Sequence, residues 1–278
     1  MIAEWHLLDT GFCTVPARFA YRAKTRRRVP CHAVCALLRH ERHGWILFDT
    51  GYAPRVLEAT ARFPYRLYAL ATPMTIAAES AAVRQIARFG LTAADISTVV
   101  VSHFHADHMG GLLDFPAARL VASRAGYDAV RTRRGFDAVR RAFLPQLLPP
   151  DFAARAAWAE DLPAGASLPG FAETGDLFGD GSVLIVALPG HAAGQTGIIA
   201  RTVAGETAGE TLFLVADAVY SARQIRQNIP PHPLTRLFAD DPRADGDTRA
   251  RLHQQHRAAP DTILLPTHCP ETLVRCTR

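Results

Sequence analysis

The densest group of chemically capable side chains lies at positions 103–108, where the sequence reads His-Phe-His-Ala-Asp-His directly after an apolar, β-favouring run. In an extended segment, alternate side chains share a face, so His103 and His105 can bind one ion. A turn after them would direct Asp107 and His108 toward a neighbouring ion. Pairing these four groups without a cation would be costly beside a buried strand. The motif therefore predicts a metal site.

Four ligands cannot complete two metal sites, so further ligands are expected downstream. His191, Asp217 and His268 each come shortly after another apolar run. If those strands end at one edge of a sandwich, the three side chains would meet the 103–108 motif.

The elements that must position these residues can be read from the hydrophobic pattern. Runs typical of strands lie at 34–38, 45–48, 96–101, 183–188, 197–203, 211–215 and 262–265. Helical patterns lie at 77–89, 125–148 and 247–259. The order predicts two β-rich halves, with two sheets packed face to face and helices outside. We expect one domain over 1–278, with a helical insert at about 125–150. The segment 151–175 is expected to connect the halves.

Five separated motifs resemble those of the metallo-β-lactamase superfamily. They are Asp-Thr-Gly at 49–51, His-x-His-x-Asp-His at 103–108, Pro-Gly-His at 189–191, Ala-Asp-Ala at 216–218 and Pro-Thr-His at 266–268. The resemblance implies an α+β fold, a four-layer αββα sandwich. One departure is Gln195, where many relatives have a second His.

The resemblance also implies a role for each matching residue. His103, His105 and His191 would bind a first metal, and Asp107, His108 and His268 a second, with Asp217 bridging the two. Asp49 would orient the ligand loop, since ligating imidazoles need an outer partner. Imidazole and carboxylate ligands suit two Zn²⁺, with Fe, Mn or Co as alternatives.

Such a metal pair predicts a hydrolase. Two metals lower the pKa of a water held between them, and the hydroxide attacks an electrophilic carbonyl or phosphoryl group. Asp107 or Asp217 could transfer the proton. Tyr220, three residues after the bridging aspartate, resembles the N-acyl homoserine lactone lactonase branch, in which such a tyrosine points at the substrate oxygen. Its hydroxyl could donate to the developing oxyanion.

The substrate class stays open at this point. A lactonase is the first hypothesis. A thioesterase similar to glyoxalase II would need a basic C-terminal pocket, for which only Arg275 and Arg278 are present near the end of the chain. The third hypothesis is an enzyme that processes phosphodiesters or RNA. The fourth is a non-catalytic metal-binding or redox protein. The aromatic segment 63–70 could form a wall for an acyl chain, and the insert could cap the site.

The remaining features indicate a globular protein acting on a small molecule. The net charge is +5, with basic runs at 22–28 and 131–134 that lack interleaved aromatic residues, so a nucleic-acid partner is disfavoured. None of the five cysteines is part of a CxxC motif, which favours reduced thiols. Cys269 is next to the expected ligand His268. No apolar run is long enough for a membrane span, and a cytoplasmic protein is expected, possibly a homodimer.

Overall fold

The computed structural model describes residues 1–21, 27–203 and 209–276. The strands are β1 (Ile2–Pro16), β2 (Arg28–His40), β3 (Gly44–Phe48), β4 (Met74–Thr75), β5 (Ile96–Val100), β6 (Arg119–Ala122), β7 (Ala156–Trp158), β8 (Gly175–Asp176), β9 (Val183–Ala187), β10 (Thr196–Arg201), β11 (Thr211–Ala216) and β12 (Ile263–Pro266). The α-helices are α1 (Ala17–Tyr21), α2 (Arg55–Ala59), α3 (Arg66–Ala71), α4 (Ala82–Gln85), α5 (Ala106–Met109), α6 (Arg124–Val130), α7 (Gly135–Arg140), α8 (Phe152–Arg155), α9 (Ala222–Arg226), α10 (Pro242–Ala258) and α11 (Pro270–Arg275).

The strands form two mixed sheets. The first has the order β4-β1-β2-β3-β5-β6-β7, and the second has the order β12-β11-β10-β9-β8. In the first sheet, β3, β5 and β6 are parallel neighbours. In the second, β9 and β11 are both antiparallel to β10, and β12 is parallel to β11. Consequently β9, β11 and β12 run in the same direction and end at the same edge.

Three apolar cores lie between four layers. Alternate residues of a strand face opposite sides of its sheet, so a strand buried on both faces contributes to two cores. Ile46 and Val100 belong to a core shared by both sheets, whereas Leu47 and Val99 belong to one that covers the outer face of the first sheet. A third core packs the outer face of the second sheet against α9 and α10, for example through Leu252. This arrangement confirms the predicted αββα sandwich.

Two predicted helices are wrong in detail, because backbone turns interrupt them. The 77–89 pattern forms two 3₁₀ turns and the short α4, and Ala81, with ψ 138°, breaks it. The 125–148 pattern forms α6, α7 and a 3₁₀ turn, since Arg134 is extended and Gly135 has a φ of 59°. The helix predicted at 247–259 begins earlier, at Pro242, where the Asp241 side chain caps it.

Other differences lie where the sequence pattern was weak. The long strand β1 was not predicted, because its burial pattern is mixed and a register shift lies between Asp9 and Phe12. The segment 151–175 contains α8 and β7, and it connects β7 at the edge of the first sheet to β8 at the edge of the second. Positions 22–26 of the first basic run lie outside the described residues. In the second basic run, Arg131 pairs with Asp128 on α6, and Arg133 pairs with Asp137 on α7.

Candidate metal centre

The predicted ligands stand where strands of both sheets end. His103, His105, Asp107 and His108 follow β5, and the last two lie on α5. From the second sheet, His191 lies beyond the end of β9, Asp217 directly follows β11, and His268 follows β12. The shared direction of β9, β11 and β12 brings these last three to one edge.

The structure brings all seven residues together in three overlapping groups. Within each group the candidate ligand atoms lie within 4.8 Å of one another. The groups are His103, His105 and His191; His103, His108 and Asp217; and Asp107, His108 and His268.

Asp217 joins the groups. Its Oδ2 lies 3.4 Å from His191 Nε2 and 3.0 Å from His268 Nε2. Its Oδ1 lies 3.2 Å from His108 Nε2. His268 Nε2 is also 3.4 Å from Asp107 Oδ2. A carboxylate at this position can contact cations on both sides of it.

Asp49 and Ser102 orient two of the imidazoles. The backbone N–H and the hydroxyl of Ser102 both donate to Asp49, at 2.7 Å each. His108 Nδ1 lies 2.8 Å from Asp49 Oδ2, and His103 Nδ1 lies 3.0 Å from Ser102 Oγ. Because carboxylate oxygens accept, His108 donates through Nδ1, and in its neutral form the lone pair of the ring is on Nε2, which faces the cluster. Asp49 itself has a φ of 60°, a strained conformation for a non-glycine residue.

A backbone carbonyl orients His268 in the same way. His268 Nδ1 lies 2.7 Å from the carbonyl oxygen of His32, which can only accept. The tautomer with the proton on Nδ1 is therefore favoured, and Nε2 faces Asp107 and Asp217. The Tyr21 hydroxyl donates to the carbonyl oxygen of His268 at 3.0 Å.

The electrostatics of the cluster favour a cation. Burial lowers the pKa of His105 and of His191 to about 4, so both imidazoles are neutral and carry lone pairs. For Asp217, burial opposes ionisation, but His268 and His108 outweigh it and hold the carboxyl pKa well below its usual value. Burial would lower the pKa of His268, yet the charge and hydrogen bond of Asp217 raise it to about 9. The centre therefore attracts positive charge.

Three polar atoms in this centre fit a bound metal. His103 Nε2, His108 Nε2 and Asp217 Oδ1 are buried and make no hydrogen bond within the part of the chain that the structure describes. Leaving such atoms unsatisfied is costly, and metal coordination would satisfy all three. The donor set of imidazole nitrogens and carboxylate oxygens suits Zn²⁺ and similar transition metals.

Tyr220 lies between the two sides of the centre. Its ring centroid is 6.2 Å from that of His191 and 6.0 Å from that of His268, on which it stacks. Burial raises the pKa of its phenol well above 10, so the hydroxyl keeps its proton. A small cavity beside it is lined by His191, Asp217 and Tyr220 together with residues of the segment 231–249.

Other predicted elements occupy different places. The aromatic segment 63–70 packs against the insert, since the Tyr65 hydroxyl accepts from the Gly135 N–H at 3.1 Å and Phe63 contacts Phe136. Neither the segment nor the insert lines the cavity beside Tyr220. Cys269 is buried, and its sulfur accepts from the Ala222 N–H at 3.3 Å. A larger cavity of about 780 Å³, lined in part by Arg55, contains none of the predicted site residues.

Sequence reasoning missed the groups that orient the ligands. Ser102 gives a weak signal, as a small polar residue between a strand and the His motif. The His32 carbonyl gives none, because a backbone group has no side-chain signature. An ion pair between Arg141 of the insert and Asp240 was also missed. Asp240 accepts from the Ala193 N–H at 2.8 Å, next to the His191 turn.

A fourth cluster, His40, His43 and Asp180, also places ligand-type atoms within 4.8 Å. It lies at the opposite end of β2 from His32. His40 Nδ1 accepts from the backbone N–H groups of Arg42 and His43, and Nε2 lies 2.9 Å from Ser182 Oγ. Hydrogen bonds therefore account for both ring nitrogens of His40, whereas His103 Nε2 and His108 Nε2 of the main centre have no such partner among the described residues.

Comparison with known proteins identifies the family. The model of the metallo-beta-lactamase superfamily matches residues 28–268. The chain belongs to the metallo-β-lactamase superfamily. A probable metallo-hydrolase of Mycobacterium tuberculosis is 28% identical over 257 residues, which are 87% of this chain and 75% of that protein. The N-acyl homoserine lactonase AttM of Agrobacterium fabrum is 30% identical over 142 residues, covering 50% of this chain and 47% of its own.

Solved structures of other proteins share the fold. One is an N-acyl homoserine lactone hydrolase with the product N-hexanoyl-L-homoserine bound at its catalytic metal centre. It superposes with a TM-score of 0.74 at 20% identity, covering 99% of this chain and 97% of the other. AidC, a dizinc quorum-quenching lactonase, superposes with a TM-score of 0.64 at 17% identity. The superposition covers 97% of this chain and 89% of AidC. The predicted αββα fold and family are confirmed, and the chain is a metallo-hydrolase relative with candidate metal-binding residues.

Within the described ranges, no helix has the length and apolar character needed to cross a bilayer.

Proposed function

We propose that this chain is a dinuclear metal-dependent hydrolase that opens lactone rings, with N-acyl homoserine lactones as the substrate class. The proposal rests on the position of Asp217, whose carboxylate lies within 3.4 Å of candidate ligands of both metals. The Tyr220 ring lies beside one ligand of each metal, His191 and His268. The names of the lactonase relatives agree with it.

The metal sites are part of this proposal. His103, His105 and His191 would hold one ion, and Asp107, His108 and His268 the other, with Asp217 shared. Bound Zn²⁺ ions supply Lewis acidity, which lowers the pKa of water and polarises a carbonyl. Fe, Mn or Co could serve in the same donor set.

The protein groups supply orientation and proton transfer. Asp49, Ser102 and the His32 carbonyl fix the imidazole tautomers, so Nε2 lone pairs converge without reorganisation during the reaction. Asp107 and Asp217 are the carboxylates placed to accept a proton from the attacking water. Tyr220 keeps its proton and can donate a hydrogen bond to the oxygen on which negative charge develops when the lactone ring opens.

A substrate panel tests the proposal. The Zn-loaded protein is incubated with an N-acyl homoserine lactone, a glutathione thioester and a phosphodiester, each at the same concentration. We expect the lactone to be hydrolysed with the highest kcat/KM. Exclusive turnover of the thioester or of the phosphodiester would contradict the lactonase proposal and leave the metal-hydrolase part intact. No turnover of any of them would count against both parts.

A further inference from the structure

Two buried cysteines lie side by side on neighbouring strands of the first sheet. Cys13 on β1 and Cys31 on β2 are direct partners in the antiparallel register. Directly opposed residues in an antiparallel pair have Cα atoms about 4.5 or 5.5 Å apart, depending on the type of pair. Both spacings fall within the roughly 4.4–6.8 Å that disulfides span.

In this register, Cys13 and Cys31 are the two cysteines of β1 and β2 that lie opposite each other. Cys35 lies four residues along β2 from Cys31, and its partner on β1 is Leu8. Its thiol donates to the Leu8 carbonyl oxygen. Because a strand rises about 3.3 Å per residue, Cys35 stands too far along the strand to join Cys31.

The environment distinguishes the two thiols of the pair. Contact with Cys31 lowers the pKa of the Cys13 thiol, although burial opposes this. The same contact, together with burial, raises the pKa of Cys31 well above its ordinary value. Thiolate character controls cysteine reactivity, so Cys13 is the better nucleophile and Cys31 the resolving thiol.

The pair also lies beside the candidate metal centre. His32, the next residue after Cys31, holds His268 Nδ1 through its carbonyl oxygen. Both Asp107 and His268 are close enough to act on the pKa of the Cys13 thiol, which Asp107 raises and His268 lowers. A covalent link at this point of β2 would therefore act on the backbone that orients His268.

We propose that Cys13 and Cys31 form a redox-active thiol pair, which hydroperoxides oxidise to a disulfide between β1 and β2. The peroxide O–O bond breaks as one oxygen is transferred to the Cys13 sulfur, giving a sulfenic acid and water or an alcohol. The Cys31 sulfur then attacks the Cys13 sulfur, the S–S bond forms, and the hydroxyl leaves with the thiol proton as water. Two thiols lose two electrons, and the peroxide gains them.

The experiment treats the full-length protein with hydrogen peroxide and then alkylates the remaining thiols in denaturant. Mass spectrometry of the intact protein and of its peptides follows. In the wild type we expect the loss of two alkylatable thiols and a cross-linked peptide pair containing Cys13 and Cys31. A thiol reductant should restore both alkylation sites.

The variants locate the reaction. Cys35→Ala, a matched buried control, should form the same cross-link. Cys31→Ala should form none and should leave a Cys13 sulfenic acid that dimedone captures. Circular dichroism of each variant reports whether it is folded, and Cys31→Ser is the substitute if Cys31→Ala is not. An uncross-linked wild type, or a cross-link between other cysteines, would overturn the proposal.

Discussion

Tyr220 offers a way to separate substrate chemistry from metal binding. It touches the rings of two candidate ligands but belongs to none of the ligand groups. Tyr220→Phe keeps the ring and removes the hydroxyl, so we expect kcat for lactone hydrolysis to fall on the order of a hundredfold. The metal content, measured by elemental analysis, should stay at the wild-type value. A variant with unchanged kcat would show that the phenol donates nothing to the reaction.

Asp49 is predicted to act on the metals through the imidazoles it orients. Asp49→Asn keeps the size of the side chain but removes a carboxylate oxygen that accepts from His108 and Ser102. We expect the metal affinity, measured by competition with a chromophoric chelator, to weaken roughly 10- to 100-fold. Asp128→Asn is the control, because Asp128 is exposed on α6 and pairs with Arg131. Equal affinities for both variants would rule out a positioning role for Asp49.

The short strands were predictable from sequence, whereas the breaks in the helices were not. Strands such as β9 and β11 are almost entirely apolar because both of their faces are buried, and this gives a continuous hydrophobic run. Tertiary contacts accompany the breaks at Ala81 and Arg134: the Gln85 side chain donates to the Asp9 carbonyl oxygen at 2.9 Å, and the Gly135 N–H donates to the Tyr65 hydroxyl at 3.1 Å. The long strand β1 was not predicted because its buried and partly exposed residues alternate irregularly. The ligands were predictable as side chains of distinctive type, but the His32 carbonyl that orients one of them was not.

The Asp-Thr-Gly turn after β3 has a conformation that only glycine fits at its third position. Gly51 has a φ of 63°, and a Cβ there would overlap the Thr10 hydroxyl, which accepts from the Tyr52 N–H. Gly179 has a φ of 73°, but a Cβ added there would meet nothing within 4 Å. Gly179→Ala should therefore cost about 1 kcal/mol from the backbone alone. Gly51→Ala should cost about 1–3 kcal/mol more, from the overlap.

Urea denaturation in the presence of a chelator measures both glycine variants without a metal contribution. The midpoint of Gly51→Ala should lie clearly below that of Gly179→Ala, with similar m values. If the two midpoints coincide, the close approach of Thr10 does not constrain this turn.

The candidate centre joins the two halves of the sandwich. Four of its ligands follow a strand of the first sheet, and three follow strands of the second. The sheets share an apolar core, which fixes their edges relative to each other. The ligands therefore meet only in the folded chain, because residues 103 and 268 are distant in sequence. This explains why local patterns could predict ligand types but their convergence required a fold.

Metal binding should therefore stabilise the whole fold. A ligand that binds only the native state raises the free energy of unfolding by about 2.7 kcal/mol per site at a hundred times its Kd. We expect the Tm of chelator-treated protein to rise on addition of Zn²⁺, measured by differential scanning calorimetry at several Zn²⁺ concentrations. His105→Ala should show a smaller rise, because it removes a ligand of the first group. His6→Ala is the matched control, since His6 pairs with Glu4 away from the centre. A rise of equal size in His105→Ala and in the wild type would mean that Zn²⁺ stabilises the protein from some other position, and the assignment of the first group would then fail.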